Sequence, residues 1–315
     1  MNKPTPNRPP VSPSTRDTTA AAPRPDALAR AAIMQTLARI EPGSREFEFN
    51  EADFERVRRL IYKRAGISLS PVKQDMVYSR LARRLRLGGH KRFVDYLDKL
   101  ESSHDAAEWE AFVNALTTNL TSFFREAHHF DILSEHLRRV AEKRTLRIWC
   151  CASSTGEEAY SLAITTCEMF AGMSPPVEVV ASDLDTNVLA HGQKGVYGAD
   201  RLARMEETRI NRFFVRESNG DYRVRPELQR LINFRRINLL EANWPLQGPF
   251  DAIFCRNVMI YFDKPTQYRI LERFVPLLRP DGLLFAGHSE NFIHAANLFR
   301  SLGRTVYART SAATR

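Results

Sequence analysis

LRIWCCASSTGEEAYSLA, Leu146 to Ala163, is the stretch that decides the fold. LRIWC is an apolar run of strand length, CASSTG is a loop of small residues, and EEAYSLA opens a helical pattern. Strand, small-residue loop and helix in that order form the cofactor cradle of open α/β sheets, whose ligands sit beyond the carboxyl ends of the strands. The loop is neither G-x-G-x-x-G nor G-x-x-x-x-G-K-[ST], so it is poorly built for a pyrophosphate or a triphosphate. Glu157 and Glu158 would repel phosphate at this helix start and suit a cofactor that carries positive charge and hydroxyls. A plainer reading stands beside this one, in which Ser154, Thr155, Glu157 and Glu158 only cap the helix.

Downstream the same alternation repeats. VEVVASD, INFRRINLL, FDAIFCRNV and GLLFAGHSE are of strand length, and EEAYSLAITTCEMF, NVLAHGQKG and KPTQYRILERFVPLLRP are helical. Strands alternating with helices predict a parallel α/β sheet. The strand ends carry polar residues, as the rim of such a sheet requires. Asp183 ends the second strand at the spacing of a carboxylate that binds ribose hydroxyls, although Asp183-x-Asp185 could also start the next helix. Asn238, Leu239 and Leu240 end the third strand and could meet an adenine edge and face. Cys255-Arg256-Asn257 ends the fourth, and Tyr261 follows, either at the rim or as a half-buried core aromatic. One piece breaks the alternation: residues 210–228 hold two β-patterned runs around Ser218-Asn219-Gly220, a hairpin signal that predicts a small antiparallel insertion.

Upstream lies a different pattern. Asn50 precedes EADFERVRRLIYKRAG, with acidic residues in the first turn and Gly66 after the last. Pro71 opens a second helix that Gly88-Gly89 stops, a third runs from about Phe93 to Leu100, and a fourth from about Asp105 to Leu116. Residues 47–118 therefore read as an all-helical domain before a sheet domain at 119–315. The charge is uneven: of a net +9, the segment Glu51–Leu100 carries 13 Lys and Arg against 6 Asp and Glu. Arg80, Arg83 and Arg84 share a helical face, which reads as a docking surface for an acidic partner or as a solvated face. Residues 1–46 hold eight of the 17 prolines and few aromatics, and predict a flexible tail with at most one lone helix at 26–40.

Several classes are excluded. No apolar run reaches 18 residues, so no transmembrane helix is expected. The N-terminus has no apolar core region of a secretory signal. The four cysteines show no C-x-x-C spacing, and no H-E-x-x-H or similar pattern occurs, so neither a disulfide framework nor a metal is expected. A reduced, cytoplasmic protein is the simplest expectation. No extra apolar interface is evident, and a monomer is expected.

The runs TTNLTSFFREAHHF, ASSTGEEAYSLAI, ASDLDTNVL, NLLE, GPFDAIFCRNVMIYFDKPTQ and PLLRPDGLLFAGHSENF together resemble the chemotaxis receptor methyltransferase family, CheR, from Phe47 to about Arg309. The resemblance implies a class I methyltransferase (Rossmann-like) sheet that binds S-adenosylmethionine, preceded by an all-helical domain. It implies methyl transfer to glutamate side chains of chemotaxis receptors, with S-adenosylhomocysteine as the product. Asn119, Thr121 and Arg125 then match positions near the methionine part and the active site, Glu158 a cofactor contact and Asp183 the ribose ligand. Asn238 and Leu239 match the adenine side, and Arg256 and Asn257 the loop after the fourth strand. Tyr261 matches a tyrosine near the transferred methyl that positions substrate together with Arg125. The basic face at Arg80, Arg83 and Arg84 would dock the helical receptor region, and the protein would be recruited from the cytoplasm to receptor arrays.

One departure concerns the hairpin. Some members carry a long glycine-rich loop there that binds a peptide tether at the receptor C-terminus. Here the turn between Arg216 and Asp221 is short, with Gly220 its single glycine, which argues against a tether. A nucleic-acid methyltransferase would explain the charge, but the fourth-strand rim reads R-N-V-M-I-Y, without the [DN]-P-P-[YFW] used on base amines or a Pro-Cys for cytosine carbon. A non-catalytic adaptor would have no need to keep Arg125 and Tyr261 together.

Overall fold

The computed structural model describes residues 45–141 and 144–310; the helix expected at 26–40 lies outside them. Helix α1 (Glu51–Ala65) starts at a closed capping box: Asn50 Oδ1 accepts the Asp53 N–H at 3.0 Å, and Asp53 accepts the Asn50 N–H at 3.2 Å. Gly66 ends it at φ 67°, a left-handed conformation that costs glycine little. A single turn at Pro71–Lys73 leads into α2 (Gln74–Gly88), followed by α3 (Phe93–Ser102) and α4 (Ala106–Leu116). Asp105 caps α4 by accepting the N–H groups of Ala107 and Glu108. Each helix buries one stripe, including Val57 and Ile61 of α1, Leu81 and Leu85 of α2, Leu97 of α3 and Phe112 of α4, around Phe49. A fully buried leucine such as Leu81 contributes about 1.5–3 kcal/mol.

The sheet domain follows in chain order as α5 (His128–Val140), β1 (Leu146–Cys150), α6 (Glu157–Met169), β2 (Val177–Asp183), α7 (Thr186–Lys194), β3 (Val196–Tyr197), α8 (Glu207–Phe213), β4 (Phe214–Arg216), β5 (Tyr222–Val224), β6 (Ile232–Arg236), β7 (Phe250–Cys255), α9 (Lys264–Phe274), β8 (Leu278–Ala286), β9 (Phe299–Gly303) and β10 (Val306–Arg309). The main sheet has the order β6-β2-β1-β7-β8-β10-β9. The first five of these strands are parallel. The chain steps outward from β1 to β2 and β6, then returns to β7 on the other side of β1. Between β1 and β7 lies the topological switch point where such sheets bind ligands. β1 is buried on both faces: Ile148 and Cys150 join Leu133 of α5 and Leu162 of α6, while Trp149 faces Ile270 and Phe274 of α9.

Three features differ from the sequence-based expectation. The sheet is mixed, because β10 lies antiparallel to both β8 and β9. The β9–β10 turn places Arg304 and Thr305 at φ 51° and 57° with no glycine at either position, so it carries no ordinary hairpin signal. His129 holds it: Nε2 lies 2.9 Å from Arg304 O and 3.1 Å from Thr305 Oγ1. Burial pushes this imidazole down to about 4, so it is neutral at neutral pH. The insertion is also larger than a hairpin. β4 and β5 pair as expected, but β3 adds a third strand on β5 from outside 210–228. Finally, α5 occupies a segment for which no helix was expected.

Candidate active site

A cleft of about 450 Å³ opens beyond the carboxyl ends of β1, β2 and β7, roofed by the segment Ala65 to Ser70 that follows α1. The ten residues that the resemblance assigns to cofactor binding or catalysis all border it; Arg80, Arg83 and Arg84 do not.

The floor is built from the β1–α6 loop. Ser154 at φ 48° and Gly156 at φ 98° turn the chain sharply. Gly156 has no room for a side chain, since a Cβ there would meet Gly192 Cα and the Tyr197 hydroxyl at 2.9 Å. The two adjacent glutamates that follow are successive residues of α6 and point about 100° apart. Glu157 is fully buried and faces away from the cleft, pairing with Arg201 and accepting the Thr155 hydroxyl at 2.6 Å. Glu158 alone borders the cleft, which corrects the expectation that both serve a cofactor. Its Oε1 accepts from Cys150 Sγ at 3.2 Å and its Oε2 from Arg256 Nη1 at 2.8 Å. Burial raises its affinity for a proton in spite of Arg256.

The ambiguity between Asp183 and Asp185 is resolved by the backbone. Asp185 is the helix cap: its Oδ1 accepts the Asn187 N–H at 2.9 Å, and its Oδ2 accepts from Asn119 Nδ2 at 2.8 Å. Asp183 points to the cleft, held by the N–H groups of Ser154 at 2.8 Å and Asp185 at 3.0 Å. Burial lifts its pKa to about 6 against the pull of these donors. Two of roughly four acceptor sites on a carboxylate are thereby used, leaving others for a ligand. Ser154 also donates its hydroxyl to Asn119 O at 2.8 Å, which ties the segment at 119–125 to the floor.

Arg256 is 3% exposed and is spent inside the protein. Besides Glu158 it lies 3.4 Å from Glu126 Oε2 and donates to the carbonyl of Arg125. Burial would raise Glu126, but Arg256 and the N–H of His288 hold it below the ordinary carboxylate range. Arg256 therefore braces Glu158 and Arg125. The guanidinium of Arg125 donates to Leu120 O at 3.1 Å and has no ion pair with a described carboxylate. Tyr261 shares the same cleft, and its hydroxyl has no hydrogen bond to a described residue. Its carbonyl accepts the Ser68 N–H of the roof at 2.8 Å. Asn238 is tied to the roof as well: Nδ2 donates to Arg64 O at 3.2 Å, and Oδ1 accepts the Leu240 N–H at 3.0 Å. Leu239 lies beside it along the cleft.

Sequence reasoning missed the roof and two carboxylates, Glu126 and Glu290. Both carboxylates lie within the quoted runs, in FFREAHH and GHSENF, but only their partners in space give them a role. Among the described residues no group of His, Cys, Asp and Glu is arranged to hold a metal ion, and no helix is long and apolar enough to cross a membrane.

Known proteins match both halves of the chain. Residues 52–117 match the CheR methyltransferase all-alpha domain, and residues 119–308 match the CheR methyltransferase SAM binding domain. Chemotaxis protein methyltransferase 2 of Pseudomonas aeruginosa is 54% identical over 270 residues, covering 84% of this chain and 96% of that protein. The chemotaxis protein methyltransferase of Salmonella typhimurium is 54% identical over 263 residues, covering 82% and 90%. Its Escherichia coli counterpart is 51% identical over 262 residues, covering 82% and 91%.

Proposed function

The chain belongs to the CheR methyltransferase family, and on that premise we propose that it methylates glutamate side chains of chemotaxis receptors with S-adenosylmethionine, yielding methyl esters and S-adenosylhomocysteine. One observation carries the reading. A guanidinium without a carboxylate partner, Arg125, and an unbonded hydroxyl, Tyr261, border the same cleft as the buried carboxylates Asp183 and Glu158.

The donor set fits the cofactor. Asp183 offers acceptor sites suited to a ribose diol, and Glu158 offers negative charge to an amino group. Leu239 supplies an apolar surface for an adenine, with Asn238 beside it. Asn119, Thr121 and Asn257 complete the wall, and Arg256 acts through Glu158 and Arg125. When bound, S-adenosylmethionine supplies a methyl group on a positively charged sulfur. The rest falls to the protein. A glutamate side chain has a pKa of about 4.3 and arrives at neutral pH as its own nucleophile, so no general base is needed. Arg125 and Tyr261 hold one carboxylate oxygen and leave the other to react. Alignment within about 3–3.5 Å is the main requirement.

Receptor docking is placed on α2, at Arg83. Arg80 and Arg84 hold the helical domain together instead: Arg80 donates to Thr117 O at 2.6 Å, and Arg84 pairs with Glu108. Arg83 is exposed. Arg83→Glu is expected to raise the KM for receptor and flatten its dependence on salt, since surface charge acts over about 10 Å at 0.1 M. An unchanged KM returns Arg83 to an ordinary solvated residue. Recruitment through a receptor tether is not part of the proposal, because the β4–β5 turn closes within Glu217–Asp221. The work is placed in the cytoplasm, at receptor arrays.

The reading is tested by labelled methyl transfer to receptor-containing membranes, followed by mild base. Label released by base supports an ester on a carboxylate. Label that survives, as N-methyl and C-methyl groups do, or no transfer at all, rejects the reading.

A further inference from the structure

The loop that carries Asn257 and Tyr261 leaves β7 at Cys255 and turns through Asn257 at φ 58°, a left-handed conformation that asparagine adopts more readily than other non-glycine residues. Glu290 ties both ends of this loop to β8. This side chain is 5% exposed. Its Oε2 accepts the N–H of Gly287 at 2.6 Å and of Asn257 at 2.9 Å, and its Oε1 accepts the N–H of Ile260 at 3.3 Å. One carboxylate thus joins the end of β8 to both ends of the active-site loop. The fit is close on the other side as well: a Cβ on Gly287 would stand 2.3 Å from Asn257 Nδ2 and 2.9 Å from Asn257 N. A buried carboxylate is costly unless donors surround it, and here backbone N–H groups are those donors.

We propose that Glu290 is a positioning residue for methyl transfer, fixing the Ile260–Tyr261 end of the loop and with it the Tyr261 hydroxyl in the cleft shared with Arg125. This rests on the carboxylate-methylation reading above. The proposal has a directional consequence. In Glu290→Gln, one acceptor oxygen becomes an NH2 donor. The remaining oxygen stays with the two short contacts, to Gly287 and Asn257, and the NH2 then faces the Ile260 N–H. Two donors repel, so the Tyr261 end of the loop shifts while the Asn257 end stays.

The test measures kcat on receptor membranes and S-adenosylhomocysteine affinity by calorimetry, for wild type, Glu290→Gln and Gly287→Ala. A displacement of about 1 Å can cost about 100-fold in rate. The expected result is a folded Glu290→Gln chain that binds S-adenosylhomocysteine within about threefold of wild type, but whose kcat falls by tens- to a hundredfold. Should Glu290→Gln not fold, Gly287→Ala, which displaces the same loop without removing the carboxylate, must show a fall in kcat. A folded Glu290→Gln with wild-type kcat overturns the proposal. So does a parallel loss of kcat and affinity, which would make Glu290 a general support of the cleft, or a fully active Gly287→Ala where Glu290→Gln is unfolded. An inactive wild type instead sinks the methylation reading itself, so the two failures are distinguishable.

Discussion

Arg125→Ala is expected to lower methyl transfer to receptor by about 100- to 1,000-fold, the usual cost of removing one preorganised hydrogen-bond donor from an active site. The protein itself should scarcely notice the change. The Arg125 guanidinium makes one hydrogen bond within the chain, to Leu120 O, and no ion pair with a described carboxylate, and the Arg125 carbonyl that Arg256 engages is kept in the variant. Glu158, whose charge Arg125 also favours, keeps its direct partner Arg256, so the melting temperature should stay close to that of wild type. The combination of intact fold and lost rate is what identifies a residue held in readiness for a substrate anion. Tyr261→Phe should be milder, because the guanidinium still orients the carboxylate. An Arg125→Ala chain that turns over at the wild-type rate would remove Arg125 from the mechanism.

Arg256→Met should do the opposite and damage the fold. Arg256 stands between Glu158 at 2.8 Å and Glu126 at 3.4 Å, both largely buried. Breaking a buried ion pair from one side costs about 3–5 kcal/mol, because the abandoned charge remains in a poor solvent. For a chain of this size the melting temperature should drop on the order of 10 °C. The pH dependence has a definite sign. Burial already raises Glu158 above the ordinary carboxylate pKa, and without Arg256 it rises further. A group whose folded-state pKa is raised is most stable protonated, so the deficit of Arg256→Met should shrink as pH falls and grow as pH rises. Adding Glu158→Gln should recover part of the loss, since it removes one stranded charge. Equal melting temperatures of wild type and Arg256→Met across pH would show that the bridge carries no weight.

The sequence is informative where local chemistry decides the outcome. The Asn50–Asp53 box and Gly66 bound α1, and the small-residue loop after LRIWC announces the cofactor cradle. Other features depend on partners that no local pattern reveals. Glu157 and Glu158 are both first-turn glutamates of α6, and only their neighbours in space, Arg201 for one and Cys150 and Arg256 for the other, tell them apart. Helical spacing places Arg80, Arg83 and Arg84 together but does not say that Thr117 and Glu108 will engage the first and last of them. β3 has two residues, too few for any period to register. The β9–β10 turn has no glycine at Arg304 or Thr305, and the residue that holds it there, His129, lies some 175 residues earlier. Glu290 acts on backbone N–H groups, which every residue but proline possesses, so its role leaves no mark in the neighbouring letters.

The roof over the cleft bears on how this enzyme could be reshaped. Ser68 and Arg64, which belong to the basic helical half, bond directly to Tyr261 and Asn238 of the sheet half. Trimming the helical half to obtain a minimal catalyst would strip one wall from the cofactor compartment and flood it. Exchanging that half for another, to redirect the enzyme to foreign targets, would have to carry over residues 64–70 intact, with the graft boundary drawn outside them.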